Sequence, residues 1–295
     1  MDSLCKTLIG KDHYLFLIND SSKSLDNHVN ITIDDLKGKQ ISNYNIYNKY
    51  FDKFLLIIFP DKEVICNKFL PDDVSIINRA YLEIYKDFFD KNIIDNQDIL
   101  DCSDYYKTDS HINTKGVLKV INKFFTELNT RFNVNILTDL FSVKETTVPS
   151  LMSLNKGLGD LTWVSNKKDI MLEDITEIYY SINEIEDLYM EIYNNGIDGY
   201  QIFDYELKDI SINFKGEKID WQCVSNGILY KKNTDFIINK KCLIFYDSFL
   251  LHGLNLIKNI FSEIYLVKNN PVNKLIDLIN PELITVFRVE RFLSA

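Results

Sequence analysis

The run Cys242-Leu243-Ile244-Phe245-Tyr246, with Ile264-Tyr265-Leu266-Val267 and Leu283-Ile284-Thr285-Val286-Phe287 behind it, decides the fold. Each run is short, apolar on both faces and rich in β-branched or aromatic residues, as in a strand buried on both sides. Between them, Phe249 to Phe261 and Val272 to Ile279 read as helices. Strand, helix, strand, helix, strand within residues 242–287 is the alternation of a parallel sheet wrapped by helices.

The same reading extends outward. Phe54-Leu55-Leu56-Ile57-Ile58-Phe59, closed by Pro60-Asp61, is another buried strand ending in a loop. From Asp72 to Asp90 the spacing of Val74, Ile77, Ala80, Tyr81, Ile84 and Phe88 predicts a helix. A second helix is predicted from Thr114, capped by Asn113 or Thr114, with Val117, Leu118, Val120, Ile121, Phe124, Phe125 and Leu128 on its apolar face. The middle differs. It holds an acidic run read as helical (Glu173 to Tyr193) and the alternating Ile210-Ser211-Ile212-Asn213-Phe214 before the turn signal Lys215-Gly216. With no Pro/Ser linker, repeat or low-complexity tract, the expectation is one domain over residues 1–295. A lid-like insertion is expected at about 142–238.

Composition narrows the function. The 295 residues are 46% hydrophobic and 26% charged, with 10 Gly and 5 Pro, which excludes collagenous and disordered chains. A formal charge of −10 counts against nucleic acid as a partner, because phosphate neutralisation needs a basic surface. The cysteines (Cys5, Cys66, Cys102, Cys223 and Cys242) form no CxxC pair, so a zinc ribbon or thioredoxin-like motif is not expected. They read instead as buried free thiols of a reducing compartment. No segment is apolar for long enough to predict a membrane span, and the start Met1-Asp2-Ser3-Leu4-Cys5-Lys6 lacks a secretory pattern. The expectation is a cytoplasmic protein as written, or an extracytoplasmic one if a leader has been removed.

Active groups of open parallel sheets collect at the carboxyl ends of the strands. Tyr246-Asp247-Ser248-Phe249 is one such place. A serine there stands at the sheet edge beside helix-start N–H groups, although Asp-Ser also caps helices for structural reasons. Tyr105 to Gly116 is the other. In an extended segment residues i and i+2 share a side, so Asp109 can accept the Nδ1–H of His111 and leave Nε2 free to take a proton. His13, His28 and His252 are the remaining histidines; His252, one turn beyond Ser248, reads as a helix-face residue. No further ligands accompany Asp109 and His111, so no metal is expected.

Six short blocks, in order along the chain, resemble the SGNH-hydrolase-like acetyltransferases of the alginate O-acetylation (AlgX/AlgJ-like) type. Gly10-Lys11-Asp12-His13-Tyr14-Leu15-Phe16-Leu17 is similar to that family's opening G-K-D-G-W-L-F. Phe59-Pro60-Asp61-Lys62-Glu63-Val64 with Phe69-Leu70-Pro71 resembles its P-x-K-x-x-V…Y-L-P segment. Thr108-Asp109-Ser110-His111 resembles T-D-T-H-W, Gly159-Asp160-Leu161 resembles G-D-L, and Asp247-Ser248-Phe249 resembles G-D-S-F. Glu290-Arg291-Phe292-Leu293 matches the closing E-R-F-L. Ile112 stands where the family usually has Trp, and Tyr246 where it has Gly.

The resemblance implies a three-layer α/β/α sandwich with a mostly parallel sheet. It implies a Ser–His–Asp triad of Ser248 (nucleophile), His111 (general base) and Asp109 (its orienter). The implied activity is O-acetyl transfer, through a serine acyl-enzyme, onto a hydroxyl of a bacterial surface polysaccharide such as capsule, or its precursor. The donor would be a co-substrate, acetyl-CoA or an acetyl group relayed by a protein or membrane component, with no tightly bound cofactor. The partners would be the glycan and acetyl-relay or polysaccharide-assembly proteins. An O-acetyl esterase and a non-catalytic glycan-binding protein of the same fold are the alternatives. Asn155, Gly159 and Arg288 are candidates for the oxyanion or substrate, Arg288 also for an ion pair with Glu290. Tyr105, Tyr106 and Trp163 are candidates to stack on sugar rings or to pack in the core.

Overall fold

Phe54–Phe59 forms a strand with all six side chains buried, and its alternation divides the core. Leu55, Ile57 and Phe59 face one side, where they join Val117, Val120, Ile121, Phe124, Phe125 and Leu128. Phe54, Leu56 and Ile58 face the other and join Tyr47, Leu82, Tyr85, Phe89, Leu275 and Ile276. A strand can serve two cores only when helices cover both faces of its sheet, which gives the α/β/α sandwich.

The computed structural model describes residues 7–38, 43–136, 141–148, 160–161, 175–182, 201–202, 211–214, 217–220, 228–234 and 236–294. Their strands are β1 (Thr7–Ile9), β2 (Leu15–Leu17), β3 (Phe54–Phe59), β4 (Ile93–Asp95), β5 (Phe141–Val148), β6 (Ile175–Ile182) and β7 (Gln201–Ile202). There follow β8 (Ser211–Phe214), β9 (Glu217–Asp220), β10 (Ile228–Lys232), β11 (Ile238–Tyr246), β12 (Phe261–Val267) and β13 (Leu283–Val289). The helices used below are α1 (Ser24–Val29), α2 (Ile33–Leu36), α3 (Tyr44–Lys49), α4 (Lys62–Ile65), α5 (Ala80–Phe89) and α6 (Thr114–Phe132). The central sheet runs β4-β3-β13-β11-β12-β10-β7. It is parallel from β4 to β12 and antiparallel at β10 and β7. β7 and β10 fall within the stretch 142–238 and yet pair into this sheet. Two-stranded sheets β5-β6 and β8-β9 stand apart from it.

β11 is flanked by β13 and β12, so the chain leaves it toward one neighbour and returns on the other side. This is a topological switch point, where the carboxyl edge opens a crevice. α6 lies across the face beneath that crevice. It begins where the spacing predicts, with the Asn113 side chain accepting the Gly116 N–H at 3.1 Å. It ends at Asn133, whose φ of +49° is a left-handed stop that asparagine tolerates. Among the described residues no helix is long and apolar enough to cross a membrane.

Three predicted helices are corrected. The helix over Asp72–Asp90 shortens to α5, because Ile77 donates its N–H to the His28 carbonyl (3.0 Å) and Arg79 turns inward to buried carboxylates. Phe249 to Phe261 is instead a 3-10 helix, Ser248–Gly253, with one turn of α-helix, Leu254–Ile257, before β12 begins. Within the acidic run, Ile175–Ile182 is strand β6; its β-branched and aromatic residues outweigh the helical spacing.

Candidate active site

Ser248 follows β11 directly and opens the 3-10 helix. Asp247 builds this turn. Its Oδ1 accepts the Phe249 N–H (2.9 Å), its Oδ2 accepts the Val289 N–H at the end of β13 (2.7 Å), and its carbonyl accepts the Leu250 N–H (3.3 Å). Asp-Ser therefore does cap a helix, and the cap also ties the serine to the sheet edge. The helix packs on α6 through Gly253, where a Cβ would come within 2.3 Å of Ile121 Cδ1 and 2.9 Å of Val117 Cγ1. Only glycine allows that approach.

The partner loop is pinched shut. A single bridge joins Tyr105 to Ile112, and the Asn113 N–H bonds the Asp104 carbonyl at 2.8 Å. Residues 107–111 bend between these points and are not extended as expected. Asp109 meets His111 by curling back: its Oδ1 accepts both the His111 main-chain N–H (2.9 Å) and Nδ1–H (2.6 Å). Nε2 then faces Ser248 Oγ at 2.8 Å. Phe249 lies against the imidazole, ring centroids 5.0 Å apart. Burial alone would push the Asp109 carboxyl up, but the His111 hydrogen bond and charge, with the N–H groups of Asp160 and His111, hold it well below the usual carboxylate range.

Two residues not assigned a role from sequence hold this loop. Lys62, at the start of α4, is buried, and its ammonium donates to the carbonyls of Leu15 (2.7 Å), Lys107 (2.8 Å) and Asp109 (3.1 Å). Asp160 clasps the other side. Its Oδ1 accepts the Ser110 N–H (2.7 Å), its Oδ2 the Ser110 hydroxyl (2.6 Å), and its own N–H donates to Asp109 Oδ2 (2.9 Å). A buried lysine and a carboxylate fifty positions away leave no local periodic signal. The blocks in which they fall, which resemble P-x-K and G-D-L, are the available clue.

The remaining candidates separate from the site. Tyr105 is buried and donates its hydroxyl to the Pro60 carbonyl (2.7 Å), so it packs in the core and offers no sugar platform. Ile112 is likewise buried, its side chain against Gly116. Tyr106 is half-buried beside the loop, its N–H on the His111 carbonyl. Arg288 alternates with Phe287 and Val289, so it points to the sheet face opposite α6; its guanidinium bonds the Asn269 carbonyl (3.2 Å) and the Asn270 side chain. The expected Arg288–Glu290 pair is absent. Glu290 belongs to Arg79, at 2.6 Å, because the chain leaves the strand at Glu290 and turns its side chain inward. Asn155, Gly159 and Trp163 lie outside the described residues, as do Cys5 and Cys223. Cys66, Cys102 and Cys242 are free thiols.

Behind Phe249 lies a second charged cluster. The Arg291 guanidinium sits 5.1 Å from the Phe249 ring and donates to Asp61 Oδ1 at 2.8 Å. Asp61 Oδ2 meets His28 Nε2 at 3.2 Å, and Glu63 accepts the Ser24 hydroxyl. The carboxylates and imidazoles of His28/Asp61/Glu63 and of Asp109/His111/Asp160 converge closely enough to consider a metal. In the first set a guanidinium already neutralises Asp61. In the second the imidazole nitrogens are engaged by Asp109 and Ser248, so neither is read as a metal centre.

No protein-family model matches the chain, and no curated protein is recognisably similar in sequence. Solved structures are similar. The structure of Bacillus cereus PatB1 superposes with a TM-score of 0.60 at 12% identity, covering 98% of this chain and 97% of that one. The O-acetyltransferase domain of Pseudomonas putida AlgJ gives 0.51 at 11%, covering 98% and 92%. A DHHW family protein from Eubacterium siraeum gives 0.52 at 12%, with the same coverages. Identities this low speak to fold alone: the chain shares the fold of PatB1 and of the AlgJ O-acetyltransferase domain.

Proposed function

We propose that the protein is an O-acetyltransferase that carries an acetyl group on Ser248 and passes it to a hydroxyl of a bacterial surface polysaccharide or its precursor. One observation carries this reading: His111 Nε2 stands 2.8 Å from Ser248 Oγ while Asp109 holds Nδ1 at 2.6 Å. In the first half-reaction Ser248 Oγ adds to the acetyl carbonyl of the donor as its proton passes to Nε2. The imidazolium returns that proton to the leaving group as the donor bond breaks. In the second half a glycan hydroxyl gives its proton to Nε2 and attacks the acyl carbon, and Ser248 leaves, reprotonated by His111. The oxyanion would meet the Ser248 N–H, which as the first of its helix has no intrahelical acceptor.

The fold shared with the AlgJ O-acetyltransferase domain supports acyl transfer, and the six ordered blocks support a glycan acceptor. Acetyl-CoA or a relayed acetyl group would be the donor. The test supplies p-nitrophenyl acetate or acetyl-CoA together with a bacterial capsular polysaccharide and follows the glycan by mass spectrometry. Acetylated glycan made by the wild type and absent with Ser248→Ala is the expected result. Acetate released to water with the glycan untouched would make the protein an esterase.

A further inference from the structure

We infer that Asp160 is a second carboxylate of the site: its main-chain N–H orients Asp109, and its charge supports the imidazolium that His111 becomes during transfer. This rests on the acyl-transfer reading for its catalytic consequence, not for the electrostatic coupling itself.

The geometry has two parts. Asp109 has two carboxylate oxygens; Oδ1 serves His111, and Oδ2 accepts the Asp160 N–H at 2.9 Å. A carboxylate held at both oxygens cannot rotate away from the imidazole. The Asp160 segment is in turn pinned to the loop and to the opening strand. The Leu161 N–H bonds the Thr108 carbonyl (3.2 Å), and the Leu161 carbonyl accepts the Thr7 hydroxyl (2.8 Å). Leu161 itself is fully buried against Leu15 and Leu17. The second part is charge. Asp160 Oδ2 lies 3.6 Å from His111 Nδ1, beyond hydrogen-bond distance but well inside electrostatic reach.

The other charged or titratable groups around the imidazole do not duplicate this contact. Lys62 spends its ammonium on three carbonyl oxygens, including that of Asp109. Arg291 lies beside Phe249 and is paired with Asp61. His252, on the Ser248 helix, is pushed down by burial and by His111, with Asp109 acting the other way. Asp160 is pushed up by burial and by the Asp109 charge, as expected for two carboxylates sharing one imidazole. Its side chain is 42% exposed, so water screens part of the charge.

A loop anchor without electrostatic effect is the competing explanation, and the Asp160→Asn and Asp160→Ala variants separate the two. Asparagine keeps an acceptor for Ser110 and removes the charge; alanine removes both. The first readout is independent of acetyl transfer: the pH midpoint of His111 modification by diethylpyrocarbonate, in a Ser248→Ala background that uncovers Nε2. The midpoint is expected about half a unit lower in Asp160→Asn, because the imidazolium has lost a neighbouring anion. An unchanged midpoint overturns the inference. The second readout is turnover of p-nitrophenyl acetate against pH. Asp160→Asn is expected to lower the plateau of kcat about three- to tenfold while moving its acid limb to lower pH, with KM little changed. A variant that matches the wild type at every pH, beside an Asp160→Ala that is uniformly slow, leaves only an anchor and also overturns it. If the wild type fails to turn over the ester, the acyl-transfer reading falls and the modification midpoint still decides the coupling.

Discussion

Among the described residues, two histidines each hold an aspartate at hydrogen-bond distance, and the two pairs differ in what lies beyond them. His111 and Asp109 are 31% and 24% exposed, and the second imidazole nitrogen faces the hydroxyl of Ser248. His28 and Asp61 are 3% and 0% exposed, and the second nitrogen faces the main-chain carbonyl of Asn78. A carbonyl can only accept, so His28 donates from both nitrogens, as an imidazolium does. Burial alone would push His28 down, but the Asp61 hydrogen bond and the charges of Glu290, Asp61 and Glu63 hold it up at about 9. Glu63 in the same cluster is pushed up to about 7 by burial and by Asp61. The partner on the far nitrogen thus separates the proposed base from a buried cation.

Substitutions in the two pairs should fail in opposite ways. Asp109→Asn is expected to slow acyl transfer on the order of 10⁴-fold by releasing the His111 tautomer. A loss of less than tenfold in ester turnover would break the distinction. Arg291→Met strips Asp61 of its guanidinium and is expected to cost about 3–5 kcal/mol of stability, read from the urea midpoint. An unmoved midpoint would show that the buried cluster is not structural.

The pH dependence sharpens the same contrast. With its folded value near 9 against an ordinary 6.5, His28 binds its proton more tightly in the folded state. Its contribution, on the order of 3 kcal/mol, is therefore present in full below about pH 6.5 and is lost as pH rises through about 9. Melting temperature should fall across that window, and His28→Gln should flatten the fall; an equal slope in the variant would contradict the assignment. The smallest effect concerns the contact between the Ser248 helix and α6. Gly253→Ala forces a Cβ onto Ile121 and Val117, at a cost of about 1–3 kcal/mol. Ester turnover should fall about tenfold as Ser248 moves off His111, and an unchanged rate would show that the contact does not set the site.

Much of the sheet and part of the site were legible because their signals are local. Buried strands announce themselves as apolar runs, and α6 announces both its cap at Asn113 and its apolar face. Asp109 and His111 were legible as a pair, although the backbone joins them through a bend rather than an extended strand. What periodicity could not supply was long-range polar pairing. Arg79 finds Glu290 and Asp95 rather than continuing a helix, Arg288 takes Asn269 and Asn270 rather than Glu290, and Tyr105 reaches the Pro60 carbonyl. Lys62 acts through main-chain carbonyls of the loop that carries His111, and Asp160 reaches Asp109 through its own main-chain N–H; any sequence contributes such atoms.

The most direct measurement is peptide mapping by mass spectrometry after acid quenching of the protein mixed with p-nitrophenyl acetate and no acceptor. An acetyl group on Ser248 in the wild type, missing in Ser248→Ala and much reduced in His111→Ala, is the expected result. An unmodified Ser248, or equal acetylation of the protein when Ser248 is alanine, would contradict the assignment of Ser248 as the acetyl-carrying nucleophile.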